Sequence, residues 1–414
     1  MMKKLCLSLL AWVLCLLALP ALAEEQPLLT LWIEYDAEVE LSREVAVPAT
    51  ITQQHLGDPS TYPAQLRLHM ETGDDAERVL PQRSLRVDSA DRSFVLYNDG
   101  NDALNTKVVS AACDALLART PVPVARNWQE AAVVYVNGEY QGLYTLRWPV
   151  ERLCEAALFA DSMDGITVTR MGKPALLGDS AGLDEVLRLA TELDLSVEAN
   201  RQQLEAVLDV RGFLGTLAVN AYLGNPFMFN EMWFCQGEDG VWRCVPGEFT
   251  FALYSAQYDS MAKIMKESGN EPEQKLARAL LSEAAYRELF LQYVGSLYQA
   301  WTTPVMQAAV DAGYALIRDE LPRHVARWAE PFAQTVTDGR YPVANAEEAL
   351  LYHQYRLYRL RDKTLVTRPW YVYDSVQRGL NVSDEDMART FGGPKPELPQ
   401  VPGDAWETYR DAHR

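Results

Sequence analysis

A tight turn at Asn137-Gly138, set between two runs of β-forming residues, constrains this chain more than any other feature of its sequence. Residues 132–136 and 140–146 are rich in valine, tyrosine, leucine and threonine, which are residue types that favour strands. A type I′ turn needs positive φ at both central residues, and asparagine followed by glycine adopts it readily. The segment therefore predicts an antiparallel hairpin.

The first 23 residues have the layout of a secretory signal peptide. Two lysines precede an apolar run over residues 5–19, and a small-residue cleavage site ends at Ala23. The run is shorter than the roughly 18–20 residues that a membrane span needs, which disfavours the alternative of a transmembrane anchor. We therefore expect cleavage after Ala23 and a soluble mature protein that is secreted or held at the cell surface.

The charge of the chain restricts its partners. Cleavage changes the formal charge from −19 to −21, because residues 1–23 contain two lysines and no acidic residue. A protein this acidic repels nucleic acid and anionic membrane surfaces, so we exclude a nucleic-acid partner. With 48% hydrophobic residues, the mature chain can bury one large core or two coupled lobes.

Four cysteines remain once the signal peptide is removed. Cys235 and Cys244 flank Asp239-Gly240, a second candidate two-residue turn, and counting outward places them opposite each other as a non-hydrogen-bonded pair. Such a pair brings the Cα atoms to about 4.5 Å, which suits a disulfide. We predict a Cys235–Cys244 disulfide; Cys113 and Cys154 are left as a second pair that only arithmetic supports. The spacing of the cysteines disfavours a metal site.

The order of strand and helix patterns gives the class α+β. Alternating apolar residues recur over residues 28–97, helical spacing predicts one helix over 201–223 with Gly224 as its C-cap, and helical spacing dominates residues 272–366. The predicted divisions are a signal peptide at 1–23, a β-rich N-terminal lobe at 24–154, a mainly helical C-terminal lobe at 155–375 with a hairpin at 233–245, and an extended, proline-rich tail at 376–414.

The hairpin sequence Val136-Asn137-Gly138-Glu139-Tyr140-Gln141-Gly142-Leu143-Tyr144 resembles the central segment of the CotH kinase family, the spore-coat-protein-H-like atypical kinases. The resemblance covers roughly residues 46–363. It implies an atypical protein-kinase-like bilobal fold, ATP with Mg²⁺ or Mn²⁺ as cofactor, and transfer of the γ-phosphoryl group to serine on secreted or coat proteins.

A second stretch, residues 81–87, resembles the family's lysine-rich "PKKSYRIK" strand, which supplies positive charge for nucleotide phosphates. The resemblance makes Arg83 and Arg86 candidate nucleotide-binding residues. Their positions alternate on a strand, so only one of them can face a cleft. The competing interpretation is that both are solvated or ion-paired strand arginines.

A third stretch, from residue 220 to 234, is similar to the family's catalytic loop, "N-x-D…N-x-Y". Asn225 and Asn230 match the asparagines of that pattern, which the family uses at the nucleotide and its metal. The aspartate that would accept the proton of the substrate hydroxyl is replaced within Pro226-Phe227-Met228. None of these three side chains can take a proton.

A fourth stretch, residues 241–251, looks like the family's metal-binding strand, "W-x-x-x-P-W-D-x-D". Two alternate aspartates of that strand can hold Mg²⁺ on one face, and here they correspond to Glu248 and Thr250. Trp148 stands where the family has a glutamate. The resemblance leaves Glu248 and Asn230 as candidate metal ligands, and no catalytic residue is assigned.

The family's charged residues have changed at four places: the phosphate-binding strand, the catalytic loop, the metal-binding strand and the position of Trp148. These changes predict a kinase-like fold without kinase activity. We expect an exported pseudokinase or surface binding module, with a secreted or surface protein or a cell-wall glycan as its partner. The alternative is an active ATP-dependent serine kinase in which the alignment is shifted and other carboxylates, such as Asp239 or Asp259, act. Other enzyme classes lack their motifs, since the sequence has neither H-E-x-x-H nor G-x-S-x-G.

Overall fold

The computed structural model describes residues 28–70, 79–160, 162–401, 403 and 405–413, so the predicted signal peptide lies outside the described residues. The strands are β1 (Leu29–Tyr35), β2 (Val47–Gln54), β3 (Ser60–Leu68), β4 (Leu85–Asp88), β5 (Ser93–Tyr97), β6 (Gln129–Val136), β7 (Glu139–Arg147), β8 (Thr167–Thr169), β9 (Met232–Gln236) and β10 (Trp242–Pro246).

The helices lie mostly in the second half of the chain. They are α1 (Val109–Leu117), α2 (Val150–Leu158), α3 (Ala181–Glu192), α4 (Glu198–Glu205), α5 (Val210–Leu223), α6 (Ser260–Met265), α7 (Pro272–Ser282), α8 (Ala284–Ala300), α9 (Thr303–Ile317), α10 (Leu321–Thr335), α11 (Ala346–Arg359), α12 (Leu365–Leu380), α13 (Asp384–Phe391) and α14 (Trp406–His413). A 3₁₀ turn spans Gly100–Leu104 and a π turn spans Leu360–Thr364. Each helix of the described part is too short or too polar to cross a membrane.

The first seven strands close into a barrel in the order β1-β2-β3-β4-β5-β7-β6. Neighbouring strands run antiparallel except at the closure, where β1 pairs in parallel with β6 and places Leu31 opposite Val134. Alternate side chains of each strand point inward, so that Leu31 and Ile33 are fully buried in the barrel's own apolar core. The α+β class, with a β-rich first part and a helical second part, is confirmed; closure into a barrel was not predicted.

The hairpin of β6 and β7 is formed as predicted. Asn137 and Gly138 have φ values of 49° and 79°, the positive values that a type I′ turn requires. At Gly142, with φ of 90°, a Cβ atom would lie 2.4 Å from Nδ1 of His324 on α10. The backbone N–H of Leu143 donates to that same nitrogen over 3.1 Å. The hairpin therefore positions α10 against the barrel, and only glycine permits this approach.

A large apolar core joins the helices to one another and to the outside of the barrel. Its central element is α5, in which nearly every side chain is buried. The predicted helix over 201–223 is divided into α4 and α5, because Asp209 accepts a hydrogen bond from the backbone N–H of Gly212 at 3.0 Å and starts a new helix. Gly224, with φ of 66°, ends α5 as predicted.

The hairpin of β9 and β10 has a different register from the predicted one. Gln236 pairs with Trp242 and Cys235 pairs with Arg243, so the connection is the loop 237–241 and not a two-residue turn. A shift of one residue sends the two cysteine side chains to opposite faces. Cys235 lies under α2, whereas Cys244 belongs to the main core. The predicted Cys235–Cys244 disulfide is therefore wrong.

All four cysteines of the described residues are free thiols, including Cys113 and Cys154. A hydrogen bond with the neighbouring Cys235 raises the pKa of the Cys154 thiol, and burial of the thiol raises it further. We expect mature protein unfolded without reductant to give four reactive thiols in a titration with a chromogenic disulfide reagent. The same titration after full reduction is the control. Two thiols before reduction and four after it would show a disulfide and contradict the structure.

The predicted extended tail at 376–414 contains two helices instead. Ser383 caps α13 by accepting from the N–H of Asp386 at 3.1 Å, and Gly392 ends it with φ of 79°. Trp406 at the start of α14 is only 7% exposed and packs edge-on to Tyr352 with ring centroids 5.1 Å apart. This burial holds the end of the described chain against α11.

His353 on α11 gives the fold a pH dependence. The residue is 3% exposed, and burial together with the nearby charge of Lys107 lowers its pKa to about 4. The unfolded chain takes up this proton near pH 6.5, whereas the folded protein does so only near pH 4. Stability from this group is therefore present above pH 6.5 and is lost as the pH falls toward 4.

Between pH 7 and pH 4, we expect the free energy of unfolding of wild type to fall by about 3 kcal/mol more than that of His353→Gln, because glutamine has no proton to gain. Urea unfolding of both proteins across that range measures the difference. Burial raises the pKa of Glu273 to about 7 and lowers that of His324, but both groups are present in the two proteins and cancel in the comparison. Parallel pH curves for wild type and variant would contradict a neutral His353.

Candidate functional site

The ends of three strands bring Tyr97, Arg147 and Glu248 together. Tyr97 is the last residue of β5, Arg147 the last of β7, and Glu248 lies two residues beyond β10. The Arg147 Nη2 atom lies 2.5 Å from Oε1 of Glu248, with the two side chains 6% and 1% exposed. The Tyr97 hydroxyl donates to the other carboxylate oxygen, and its ring lies 3.8 Å from the guanidinium carbon of Arg147.

Arg147 and Tyr97 together use both oxygens of Glu248, the one predicted metal-binding carboxylate. Mg²⁺ is bound through oxygen ligands whose negative charge offsets its own. Here the charge of Glu248 is already balanced by a buried guanidinium, and displacing Arg147 would leave that cation buried without a partner, at a cost of several kcal/mol. The residues present therefore do not fit a magnesium or manganese site at Glu248.

Asn225 lies beside Glu248 and connects the neighbouring segments. Its side-chain N–H₂ group contacts Oδ1 of Asn220 at 3.0 Å, Oε2 of Glu231 at 3.1 Å and the backbone oxygen of Glu248 at 3.2 Å. Its oxygen accepts from the N–H of Phe227 at 3.0 Å. Asn225 is fully buried, so its amide holds the loop together and has no donor or acceptor facing solvent.

Asn230 is exposed and lies apart from this cluster. Its backbone N–H donates to the carbonyl of Phe227 at 2.8 Å, and its own carbonyl accepts from Arg170 at 3.0 Å. The next residue, Glu231, is 5% exposed and is the carboxylate that reaches Asn225. Sequence reasoning missed Glu231, although an acidic residue directly before a buried strand is itself a signal.

Arg83 and Arg86 are not brought to Glu248. Arg83 is exposed, and its backbone carbonyl accepts from the Tyr144 hydroxyl at 3.1 Å. Arg86 is half-buried and pairs with Asp88 at 3.0 Å and with Glu151 on α2 at 2.8 Å. The ion-paired interpretation therefore describes Arg86, whose charge is balanced by two carboxylates.

The remaining positions of the motif also have structural contacts. Trp148 packs near Trp128 with ring centroids 6.5 Å apart. The two alternative carboxylates are separated and paired: Asp239 binds Arg243 at 2.6 Å within its hairpin loop, and Asp259 caps α6 and lies 3.1 Å from Arg378. Within the described ranges, no three histidine, cysteine or acidic side chains converge as a metal-binding group.

Thr250 differs from these residues because its buried hydroxyl makes no hydrogen bond within the described residues. The residue is 4% exposed, and within the described part of the chain its hydroxyl has no hydrogen-bond partner. It lines a groove against the C-terminal end of α11. Thr250, which corresponds to the second aspartate of the family's metal-binding strand, thus places in this groove a hydroxyl that has no hydrogen-bond partner among the described residues.

The segment that contains Asn225, Asn230, Glu248 and Thr250 matches a known family. A family model described as CotH kinase protein matches residues 176–366. This match supports the assignment of the chain to the CotH kinase family. The match confirms the family resemblance over residues 176–366, whereas the barrel, the 136–144 hairpin and residues 81–87 lie outside the matched residues. No curated protein matches the chain.

The match to a CotH kinase model suggests a kinase-like protein, a class whose members use a nucleotide together with a metal. Of the five residues that the motifs assigned, the structure places Asn225 and Glu248 in one buried cluster. Arg147 and Tyr97 complete that cluster, and neither was predicted. Arg147 follows the hairpin on β7, a strand-end position whose role only the folded contacts reveal.

Proposed function

We propose that this CotH-family chain is an exported pseudokinase that serves as a binding module, with the barrel as the N-terminal lobe of a kinase-like bilobal arrangement. The observation that supports it is the buried ion pair of Arg147 with Glu248. A kinase needs an anionic metal site that holds Mg²⁺ against the nucleotide phosphates. In this chain the carboxylate at that site, Glu248, is paired with the buried guanidinium of Arg147 instead.

The proton-accepting position supports the same proposal. Phosphoryl transfer to serine uses a carboxylate within hydrogen-bond reach of the substrate hydroxyl. Pro226-Phe227-Met228 replaces that carboxylate, and Met228 is fully buried. Glu231 is the nearby acid, but it is buried and its carboxylate accepts a hydrogen bond from the side chain of Asn225.

The proposed partners are a secreted or surface protein or a cell-wall glycan. The sequence layout of residues 1–23 supports export, and the formal charge of −19 disfavours nucleic acid. N-terminal sequencing of protein collected from the medium or cell surface tests export. A mature N-terminus at Glu24 is the expected result, and an intact Met1 on all of the protein would contradict it.

A phosphotransfer assay tests the pseudokinase proposal. Wild type and Glu248→Gln are incubated with ATP labelled at the γ-phosphate, with Mg²⁺ or Mn²⁺, and with a serine-rich acceptor protein. We expect incorporation at the level of the enzyme-free reaction for both proteins. Incorporation by wild type that Glu248→Gln abolishes, while the variant remains folded by circular dichroism, would establish the alternative of an active kinase.

A further inference from the structure

A groove runs between residues 250–255 and the C-terminal turn of α11. It has a volume of about 210 Å³ and continues along α12 into a second space of about 470 Å³. Tyr254, Ser255, Arg359 and Thr364 line both spaces. We call this continuous depression the arginine groove, because Arg356 and Arg359 lie along one side of it.

The two arginines have no acidic partner. Across the described ranges, no carboxylate lies within 4.0 Å of the Arg356 or Arg359 guanidinium. Arg361, on the adjacent turn, is different, because it pairs with Asp311 at 2.7 Å and Asp362 at 2.6 Å. Arg356 and Arg359 place two unbalanced guanidinium groups beside one groove, although the protein as a whole has a formal charge of −19. The groove is thus a local cationic site on an acidic protein.

Aromatic side chains hold both arginines without neutralising them. The guanidinium carbon of Arg356 lies 5.0 Å from the ring centroid of Tyr254. Arg359 donates to the Tyr355 hydroxyl at 3.4 Å. Such contacts position a guanidinium while leaving its positive charge and other N–H donors available to an oxyanion. The spacing of three residues places the two groups on one face of α11.

Thr250 supplies an independent indication of a ligand. Its hydroxyl is buried, lines the groove, and lacks a hydrogen-bond partner among the described residues. A buried hydroxyl without a partner costs free energy that a bound oxyanion would recover. Asp102 also lines the groove, but its carboxylate accepts from the N–H and hydroxyl of Thr106 at 3.1 and 2.8 Å and from the N–H of Val109 at 2.9 Å.

The backbone departs from regular helix at the same place. Residues Leu360–Thr364 form a π turn, in which the N–H of Leu365 bonds to the carbonyl of Leu360. Single π turns inside α-helices carry a cost and occur frequently at functional sites. Arg359, directly before this turn, and Thr364, its last residue, both line the groove.

We propose that the arginine groove binds a phosphate monoester, with the phosphate between Arg356, Arg359 and Thr250. A phosphorylated serine side chain and free phosphate share this chemistry. The second space gives room for chain that flanks a phosphorylated side chain, which favours a phosphorylated protein over the free ion. The inference goes beyond the proposed function and does not depend on the state of Glu248.

Isothermal titration with a phosphoserine peptide, its unphosphorylated serine form and inorganic phosphate tests this proposal at constant ionic strength. The test variant is Arg356→Gln with Arg359→Gln. The control is Arg318→Gln with Arg389→Gln, which removes two exposed arginines paired with Asp319 and Asp386 outside the groove. We expect all three proteins to melt within about 2 °C of one another, since these side chains are at or near the surface.

We expect wild type and control to bind the phosphoserine peptide at least about tenfold more tightly than inorganic phosphate, and the test variant to lose at least about tenfold in affinity for both. Equal affinity for peptide and inorganic phosphate would overturn the assignment to a phosphorylated side chain. Equal losses in test and control variants, binding of the serine form as tightly as the phosphoserine form, or no binding by folded wild type would overturn the proposal.

Discussion

Arg147→Met is expected to destabilise the protein by about 3–5 kcal/mol, because it leaves the Glu248 carboxylate buried with no cation beside it. Methionine retains the apolar stem but neither the charge nor the donors of arginine. The Tyr97 hydroxyl alone cannot balance a charge that is 1% exposed. Urea unfolding followed by circular dichroism at neutral pH measures the loss as a lower midpoint.

The double variant Arg147→Met with Glu248→Gln separates the lost charge pair from lost packing. Glutamine keeps the shape of glutamate and still accepts from Tyr97, so we expect the double variant to recover about 1–3 kcal/mol relative to Arg147→Met alone. A single variant within about 1 kcal/mol of wild type would show that the guanidinium does not neutralise Glu248. The principal support for the pseudokinase proposal would then be lost.

Arg368→Met on α12 is expected to cost about 3–5 kcal/mol as well. Arg368 is 1% exposed and donates to backbone carbonyls of two segments: those of Ala221 and Tyr222 at 2.6 and 2.8 Å, and those of Ala256 and Tyr258 at 2.9 and 2.7 Å. Without the guanidinium, these oxygens remain buried and lose their donors. The segment that follows Glu248 would then lose its attachment to the end of α5.

Arg378→Met on the same helix is the matched control. Its side chain is 61% exposed and pairs with Asp259 and Asp374 at the surface, so we expect a cost below about 1 kcal/mol. Urea unfolding of the two variants side by side checks the difference. Equal costs at the buried and exposed positions would contradict the role assigned to Arg368.

Short sequence motifs predicted those turns and helix ends whose backbone conformation depends on one or two neighbouring residues. The Asn137-Gly138 turn follows from two adjacent residues with positive φ, and the end of α5 follows from Gly224. Closure of the barrel depends instead on parallel pairing of β1 with β6, whose residues Leu31 and Val134 are far apart in sequence. No periodicity within either strand specifies that partner.

The second hairpin shows how a correct element can have an incorrect register. Asp239-Gly240 indicated a two-residue turn, but the backbone N–H of Trp242 donates to the carbonyl of Val207, and its side chain is buried. That tertiary contact fixes the position of β10 and lengthens the loop, which moves Cys235 away from Cys244. Turn propensity alone could not have shown this.

The sequence identified the altered site but not what replaced it. The missing aspartates were visible in Pro226-Phe227-Met228 and at Glu248, and the structure places Asn225 beside Glu248. The use of Arg147 as the partner of Glu248 depends on where two strands end in space, so no motif signals it. The arginine groove was missed for a related reason, since its charge stands out only when the neighbouring arginines are seen to be paired.

A thermal-shift titration with ATP, with and without Mg²⁺ or Mn²⁺, tests the central claim most directly. A ligand that binds only the folded state stabilises it by about 2.7 kcal/mol at about 100 times its Kd, so millimolar ATP raises the melting temperature when its Kd is about 10 μM or lower. With Arg147 paired to Glu248, we predict no metal-dependent rise, with adenosine and a chelator as controls. A rise that requires both ATP and the metal would show that the nucleotide site survives and would contradict the pseudokinase account.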